Sequence, residues 1–211
     1  MAKPVSVSTR KPAQLSVARF LPWLLIMCGT IGLIAAFIIT FEKIELLKDP
    51  NFVPSCNLNP IISCGSVMAS GQSNAFGFPN PLIGLMAFPV VITTGIVMLM
   101  GLQLKRWYML GLQLGAVLGI AFVHWLFFQS TYRIGALCPY CMSVWIVTII
   151  TFWYVLLYNF ELAHIKIPQK AAHSIAFIRQ HHLDIVLLWL LILVALILKR
   201  FWYYFGPLLG F

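Results

Sequence analysis

The sequence predicts an all-α polytopic membrane protein with five transmembrane helices, and three observations carry that expectation. Apolar side chains make up 61% of the 211 residues and charged ones only 9%, against about 25% charged in a soluble domain. Mean hydropathy is +0.94. The few charges cluster between long uncharged runs, each close to the roughly 20 residues that cross a bilayer core. Fourteen Lys/Arg and five Asp/Glu cannot cover this much hydrocarbon in water. The formal net charge of +9 includes no basic tract interleaved with aromatics, so nucleic acid is excluded as a partner. The excess reads as the anchoring charge of a chain set in a lipid bilayer.

The first span covers residues 20–41, uncharged between Arg19 and Glu42. It is too long for a signal-peptide core and no small-residue cleavage site follows, so it is expected to stay. Residues 1–19 form a cytoplasmic tail ahead of it. Residues 42–80 form a loop whose bulk, NFVPSCNLNPIISCGSVMASGQSNAFGFPN, is rich in Pro, Asn, Ser and Gly. The second span, 81–104, opens on Pro81, where a missing N–H costs nothing. Pro89 inside it predicts a kink, and Lys105 with Arg106 closes it. In the third span, 107–128, GLQLG at 111–115 and Gly119 offer close helix contacts. QSTYRIGAL links it to the fourth, 138–158. A polar stretch with room for a short interfacial helix then leads to the fifth, 183–205. The uncharged core of that span, 185–198, is short, so the helix is expected to run past Lys199 and Arg200, which snorkel, into FWYYF. Residues 20–205 thus make one transmembrane domain.

Orientation follows from Lys and Arg. An N-terminus in the cytoplasm puts Lys3, Arg10, Lys11, Arg19, Lys105, Arg106, Lys166, Lys170 and Arg179 inside. Only Lys43, Lys48, Arg133, Lys199 and Arg200 then lie outside, a bias of nine to five. The expected site is a plasma or bacterial inner membrane, with the C-terminus and the 42–80 loop extracytoplasmic.

That topology gives the cysteines meaning. Cys56 and Cys64 lie in the loop, and Cys138 and Cys141 open the fourth span, all on the face where disulfides persist. Cys28 sits within the first span and reads as a buried thiol packing as a small hydrophobe. In Cys-Pro-Tyr-Cys at a helix start, unpaired N–H groups and the helix dipole stabilise a thiolate. A static staple is the competing reading. A second pair on the same face favours a relay in which one dithiol hands electrons to another. A zinc site of four cysteines is disfavoured by the wide step from Cys56 to Cys64 and by the oxidising compartment, so no metal is expected. His124, an ionisable group inside the third span, is flagged for function, although a hydrogen-bonded structural role weighs more.

With NLNPIISCGSVMAS, FGFPNPLIG and ALCPYC in order, the sequence resembles the vitamin K epoxide reductase family in its bacterial quinone-linked form, over about 20–160. The resemblance implies a four-helix bundle around a quinone (menaquinone or ubiquinone), a peripheral fifth helix and a loop serving as a partial lid. It implies oxidation of a secreted thioredoxin-fold dithiol protein, with electrons passed to the membrane quinone in support of disulfide bond formation. Some relatives carry a fused thioredoxin domain after the fifth span; here the chain ends at Phe211, and the partner is expected to be a separate polypeptide. Cys56 and Cys64 match the loop shuttle pair, and Cys138 and Cys141 the active-site pair, with Cys141 nearer the quinone. Ser70 matches a serine that supports the site, and Asn80 a quinone-facing amide. Trp145 stands where the family has a Tyr, and its indole N–H donates but does not accept. Phe76 and Phe78 are expected around the quinone beside Asn80 and Trp145. In the implied path the partner attacks Cys56, taken as the exposed sulfur; Cys64 then attacks Cys138, and Cys141 leaves as a thiolate facing the quinone. Two rival readings are the same fold reducing a quinone or vitamin K epoxide for its own sake, and a transporter or scaffold with static disulfides.

Overall fold

The computed structural model describes residues 17–49, 51–165 and 172–208; most of the N-terminal tail, with Lys166 and Lys170, lies outside them. Among the described residues five helices are long and apolar enough to cross a membrane: α1 (Val17–Lys48), α3 (Pro81–Leu99), α4 (Arg106–Phe128), α5 (Pro139–Glu161) and α7 (His182–Arg200). The described residues also form shorter helices, α2 (Cys64–Ala69) and α6 (Ala172–Gln180) between spans and α8 (Trp202–Leu208) after the last. No strand occurs among the described residues. The protein is an all-α polytopic membrane protein.

α1 outruns its uncharged stretch. Glu42 and Lys43 lie inside the helix at 5% and 6% exposure, and both find partners in the loop. Ser55 donates to Glu42 Oε1 from its backbone N–H and its hydroxyl. Lys43 Nζ donates to Met68 O and to Ser73 Oγ. Buried charges persist only when paired or hydrogen-bonded, so the helix extension and the folded loop require each other.

α1 is the central helix, packed against α3 and α5, and α5 in turn packs on α4. The α1–α3 seam is closed by glycine: a Cβ on Gly95 would lie 2.7 Å from Pro22 O, and one on Gly32 would lie 2.4 Å from the Phe88 ring. The expectation that Gly111 and Gly115 make close helix contacts is corrected, because neither has an atom within 4 Å of a Cβ built there. Both face a cavity instead. Of that set only Gly119 meets another helix, at Thr148 Cγ2, 3.3 Å. α3 and α4 are joined by a hydrogen bond between Thr94 Oγ1 and Tyr108 OH at 2.7 Å, and the space between them is the cavity.

Helix ends differ from the charge boundaries for local reasons. α3 runs unbroken through Pro89 and stops at Leu99, where Gly101 takes φ 79°. After α4, residues Gln129–Ile134 continue as a π-helical turn and end on Gly135 at φ 74°, a left-handed stop. The linker is therefore helical for most of its length. The fifth span is not one helix to 205. It breaks at Phe201, which is 1% exposed in a cluster with Ile197, Phe127 and Trp145, and α8 starts beyond the break. α7 is tied to α4 by Trp189 Nε1 donating to His124 Nε2 at 3.0 Å, while His124 Nδ1 lies 2.8 Å from Ile120 O. His124 thus links α4 to α7.

Replacing Gly95 by Ala pushes a methyl into the Pro22 carbonyl, and overpacking of this kind costs about 1–3 kcal/mol. Gly111→Ala, which meets open space, is expected to be near neutral for stability. Thermal unfolding of the two variants in one detergent checks the difference; equal midpoints would remove the glycine seam as a packing constraint.

Candidate functional site

The loop meets the start of α5 through a single parallel bridge, Ile62 beside Leu137. Leu137 N donates to Ile61 O at 2.7 Å, and Ser63 N to Leu137 O at 3.0 Å. The approach is shaped by Asn59, whose Oδ1 accepts from the N–H groups of Ile61 and Ile62, the local turn chemistry Asn favours. On both sides of the bridge a helix begins at once. Ser63 caps α2, its Oγ accepting from Ser66 N. Cys138 caps α5, its Sγ accepting from Cys141 N at 3.5 Å, with Pro139 in the first turn.

These two helix starts put sulfur against sulfur. Cys56 and Cys64 form a disulfide, while Cys138 and Cys141 are free thiols. Cys64 Sγ lies 3.0 Å from Cys138 Sγ, and the sulfurs of Cys56, Cys64 and Cys138 all fall within 4.8 Å of one another. Cys64 and Cys138 are wholly buried. The Cys138 thiol is held below its ordinary value, first by the hydrogen bond with the Cys141 side chain. The backbone N–H groups of Cys141 and Tyr140 pull the same way, and burial and the charge of Glu42 oppose them. A thiol with lowered pKa against a disulfide sulfur is the arrangement thiol exchange needs. Cys28 is a free thiol in a separate cluster with Ala36, Phe88 and Val147.

One expectation is overturned. Cys56 is not the exposed sulfur: it is 5% exposed. Its segment is held down by the Ser55–Glu42 bonds, and Glu42 Oε2 sits 3.7 Å from its Sγ. A partner reaches Cys56 only when this segment lifts.

Cys141 faces a cavity of about 500 Å³ bounded by α1, α3, α4, α5 and the α2 region, a size suited to a small organic ligand. Its walls are mostly apolar, with Ser70, Asn80, Lys43 and Trp145 among the polar residues. Trp145 is 4% exposed and its Nε1 has no hydrogen-bond partner among the described residues. Such an orphaned donor fits a ligand carbonyl. Asn80 lines the cavity, but its amide is already engaged: Oδ1 accepts from Ala75 N, and Nδ2 donates to Gln72 O at 2.8 Å. Ser70 also lines it and donates to Val67 O at 2.6 Å. Phe76 and Phe78 are 61% and 39% exposed and lie outside the wall. They stack on each other, and Phe76 packs on Phe122, which does line the cavity. The aromatic residues on the wall are Phe88, Trp107, Tyr108, Phe122 and Trp145. An apolar pocket with an unspent N–H donor and a thiol on its wall suits an apolar ligand that carries a hydrogen-bond acceptor.

Sequence reasoning missed Glu42, Lys43 and Phe122. The signal available for the first two was their position as adjacent charges directly after an uncharged run; Phe122 carried none.

The vitamin K epoxide reductase family model matches residues 23–156, more than half of the chain and inclusive of all four paired cysteines. No curated protein matches the chain.

The 3.0 Å sulfur contact generates a trapping prediction. Cys141→Ser removes the thiol that resolves Cys138, so a Cys64–Cys138 disulfide should accumulate. Non-reducing peptide mapping after alkylation detects it, and Cys138→Ser serves as the blank. Absence of that crosslink would leave the two pairs without exchange.

Proposed function

The chain belongs to the vitamin K epoxide reductase family, and from that premise we propose that it is a membrane thiol:quinone oxidoreductase that reoxidises a thioredoxin-fold dithiol protein. The family is one of membrane oxidoreductases, so redox chemistry is the premise; the donor and acceptor are the proposal. One observation carries it: sulfur follows sulfur from Cys56 through Cys64 and Cys138 to Cys141, whose side chain faces a cavity suited to a quinone. In the orientation favoured by the basic residues, with the N-terminus cytoplasmic, Cys56 meets an extracytoplasmic partner.

The exchange runs by local contact. A partner thiolate attacks Cys56, forms a mixed disulfide and expels Cys64 as a thiolate. Cys64 attacks Cys138 of an oxidised Cys138–Cys141 pair and expels Cys141. The partner's second thiol clears the mixed disulfide and leaves oxidised. Cys56 then attacks Cys64, which restores the Cys56–Cys64 bond and frees Cys138. Cys138 and Cys141 now hold the two electrons as thiols, the state of the structure. A bound quinone supplies the two-electron sink that side chains lack. Trp145, whose Nε1 has no partner among the described residues, would donate to a carbonyl oxygen, and the aromatic and aliphatic wall would exclude water.

The decisive measurement is oxidation of a thioredoxin-fold dithiol protein by purified protein, with loss of the quinone ultraviolet band in equal amount. Quinone loss driven equally well by small thiols, with no partner oxidation, would instead favour reduction of the quinone for its own sake. Cys138→Ser should still form a Cys56–partner mixed disulfide yet show no quinone turnover. Trp145→Phe gives up one neutral hydrogen bond, about 1 kcal/mol, and should raise the quinone KM roughly fivefold. An unchanged KM would remove Trp145 from the quinone contacts.

A further inference from the structure

Among the described residues Lys43 is the only formally charged side chain on the cavity wall. It is 6% exposed, and its ammonium gives hydrogen bonds to Met68 O and to Ser73 Oγ. An ammonium carries three donors, so one remains for whatever occupies the cavity. Tying down the lid explains the two bonds to the loop. It does not explain why a cation rather than a neutral donor stands in an apolar pocket, where an uncompensated charge is costly. Chemistry that delivers negative charge into the same pocket does explain it.

Resting on the thiol:quinone reading, we propose that Lys43 stabilises the charge delivered to the quinone oxygen and supplies one of its protons. Cys138 and Cys141 give up two electrons and two protons as their disulfide forms. Lys43 passes one proton to a ring oxygen and recovers one of the thiol protons. The remaining thiol proton goes to the second oxygen, so thiols become disulfide and quinone becomes quinol with every charge balanced. In a water-poor pocket a preorganised cation acts more strongly than it would in solvent. Trp145, a neutral donor, orients the ring and carries no charge to offset.

The test compares Lys43→Met with Lys43→Arg by three readouts. Quenching of tryptophan fluorescence by a short-chain ubiquinone analogue reports binding of the oxidised ligand. Turnover at saturating quinone and partner reports kcat. The yield of the Cys64–Cys138 crosslink in a Cys141→Ser background reports whether the lid is seated. Lys43→Met is expected to lower kcat roughly 100-fold, the scale seen when one charge-stabilising donor is removed. Analogue binding and crosslink yield should stay near wild type, and Lys43→Arg, which keeps the charge but cannot give up a proton, should recover only part of kcat. Wild-type kcat in Lys43→Met would overturn the role. So would loss of the crosslink in step with kcat, or no recovery with Arg, since either makes Lys43 a lid clamp alone; full recovery with Arg would overturn the proton transfer. Wild-type protein that turns over no quinone would sink the thiol:quinone reading itself, a failure distinct from loss confined to the variant.

Discussion

The site depends on one short bridge. Two backbone hydrogen bonds between Ile61–Ser63 and Leu137 fix the register of a loop against the start of a helix far along the chain. Because each partner turns into a helix at the next residue, the bridge sets two helix N-termini side by side, and a cysteine stands at each. A register slip of one residue would carry Cys64 away from Cys138, as any such slip reverses the side on which a side chain points. The 3.0 Å sulfur contact is thus a property of backbone geometry more than of the cysteines. Asn59 and Ser63, which shape the two turns, matter to the chemistry without touching it.

The lid is held from below by charges a membrane helix would ordinarily avoid. Glu42 grips the Cys56 segment through Ser55, and Lys43 grips the end of α2 and the turn after it. Neither charge could stay buried if the lid left entirely, so the ground state is closed and Cys56 is covered. Oxidation of a partner nevertheless requires Cys56 to be reached. The two grips fall on different parts of the loop, which lets the Ser55 segment open while the backbone bonds of Ile61 and Ser63 to Leu137 keep α2, and with it Cys64, seated. Local opening of this kind draws on the least stable part of a fold, and an exposed segment carrying Val53 and Leu58 is where it would occur.

Much of the architecture could be read from the sequence because charge sorts so sharply in a membrane protein. Uncharged runs mark spans whatever their neighbours, and paired cysteines at loop and helix start mark exchange chemistry. What escaped was decided by faces. A glycine in a span says that a close contact is available but not with which helix, so GLQLG drew attention while Gly29, Gly32 and Gly95 make the contacts. Phe76 and Phe78 lie beside Asn80 in sequence, yet both stay off the cavity wall, where Phe76 only backs Phe122. Lys43 was counted among the outside charges because nothing local tells that Met68 and Ser73 come back to meet it. The break at Phe201 was hidden for the same reason, since its burial is supplied by residues of α4, α5 and α7.

The glycine arrangement also explains how a bundle this small keeps a cavity. Lipid offers no hydrophobic drive to close helices on each other, so close packing has to be built from small residues. α3 spends its small residues on one side, against α1, where Gly95 lets the backbones meet. α4 turns Gly111 and Gly115 away from any helix, so the side of α4 that faces α3 has little to fill the gap. α1 and α5, packed on each other, hold the redox cysteine pair and the Trp145 donor on a rigid wall. The opposite wall, α3 and α4, is joined by the hydrogen bond between Thr94 and Tyr108. Tight packing on one side of α3 and missing volume on the other come from the same residue type in different orientations, and that asymmetry places the empty space next to Cys141.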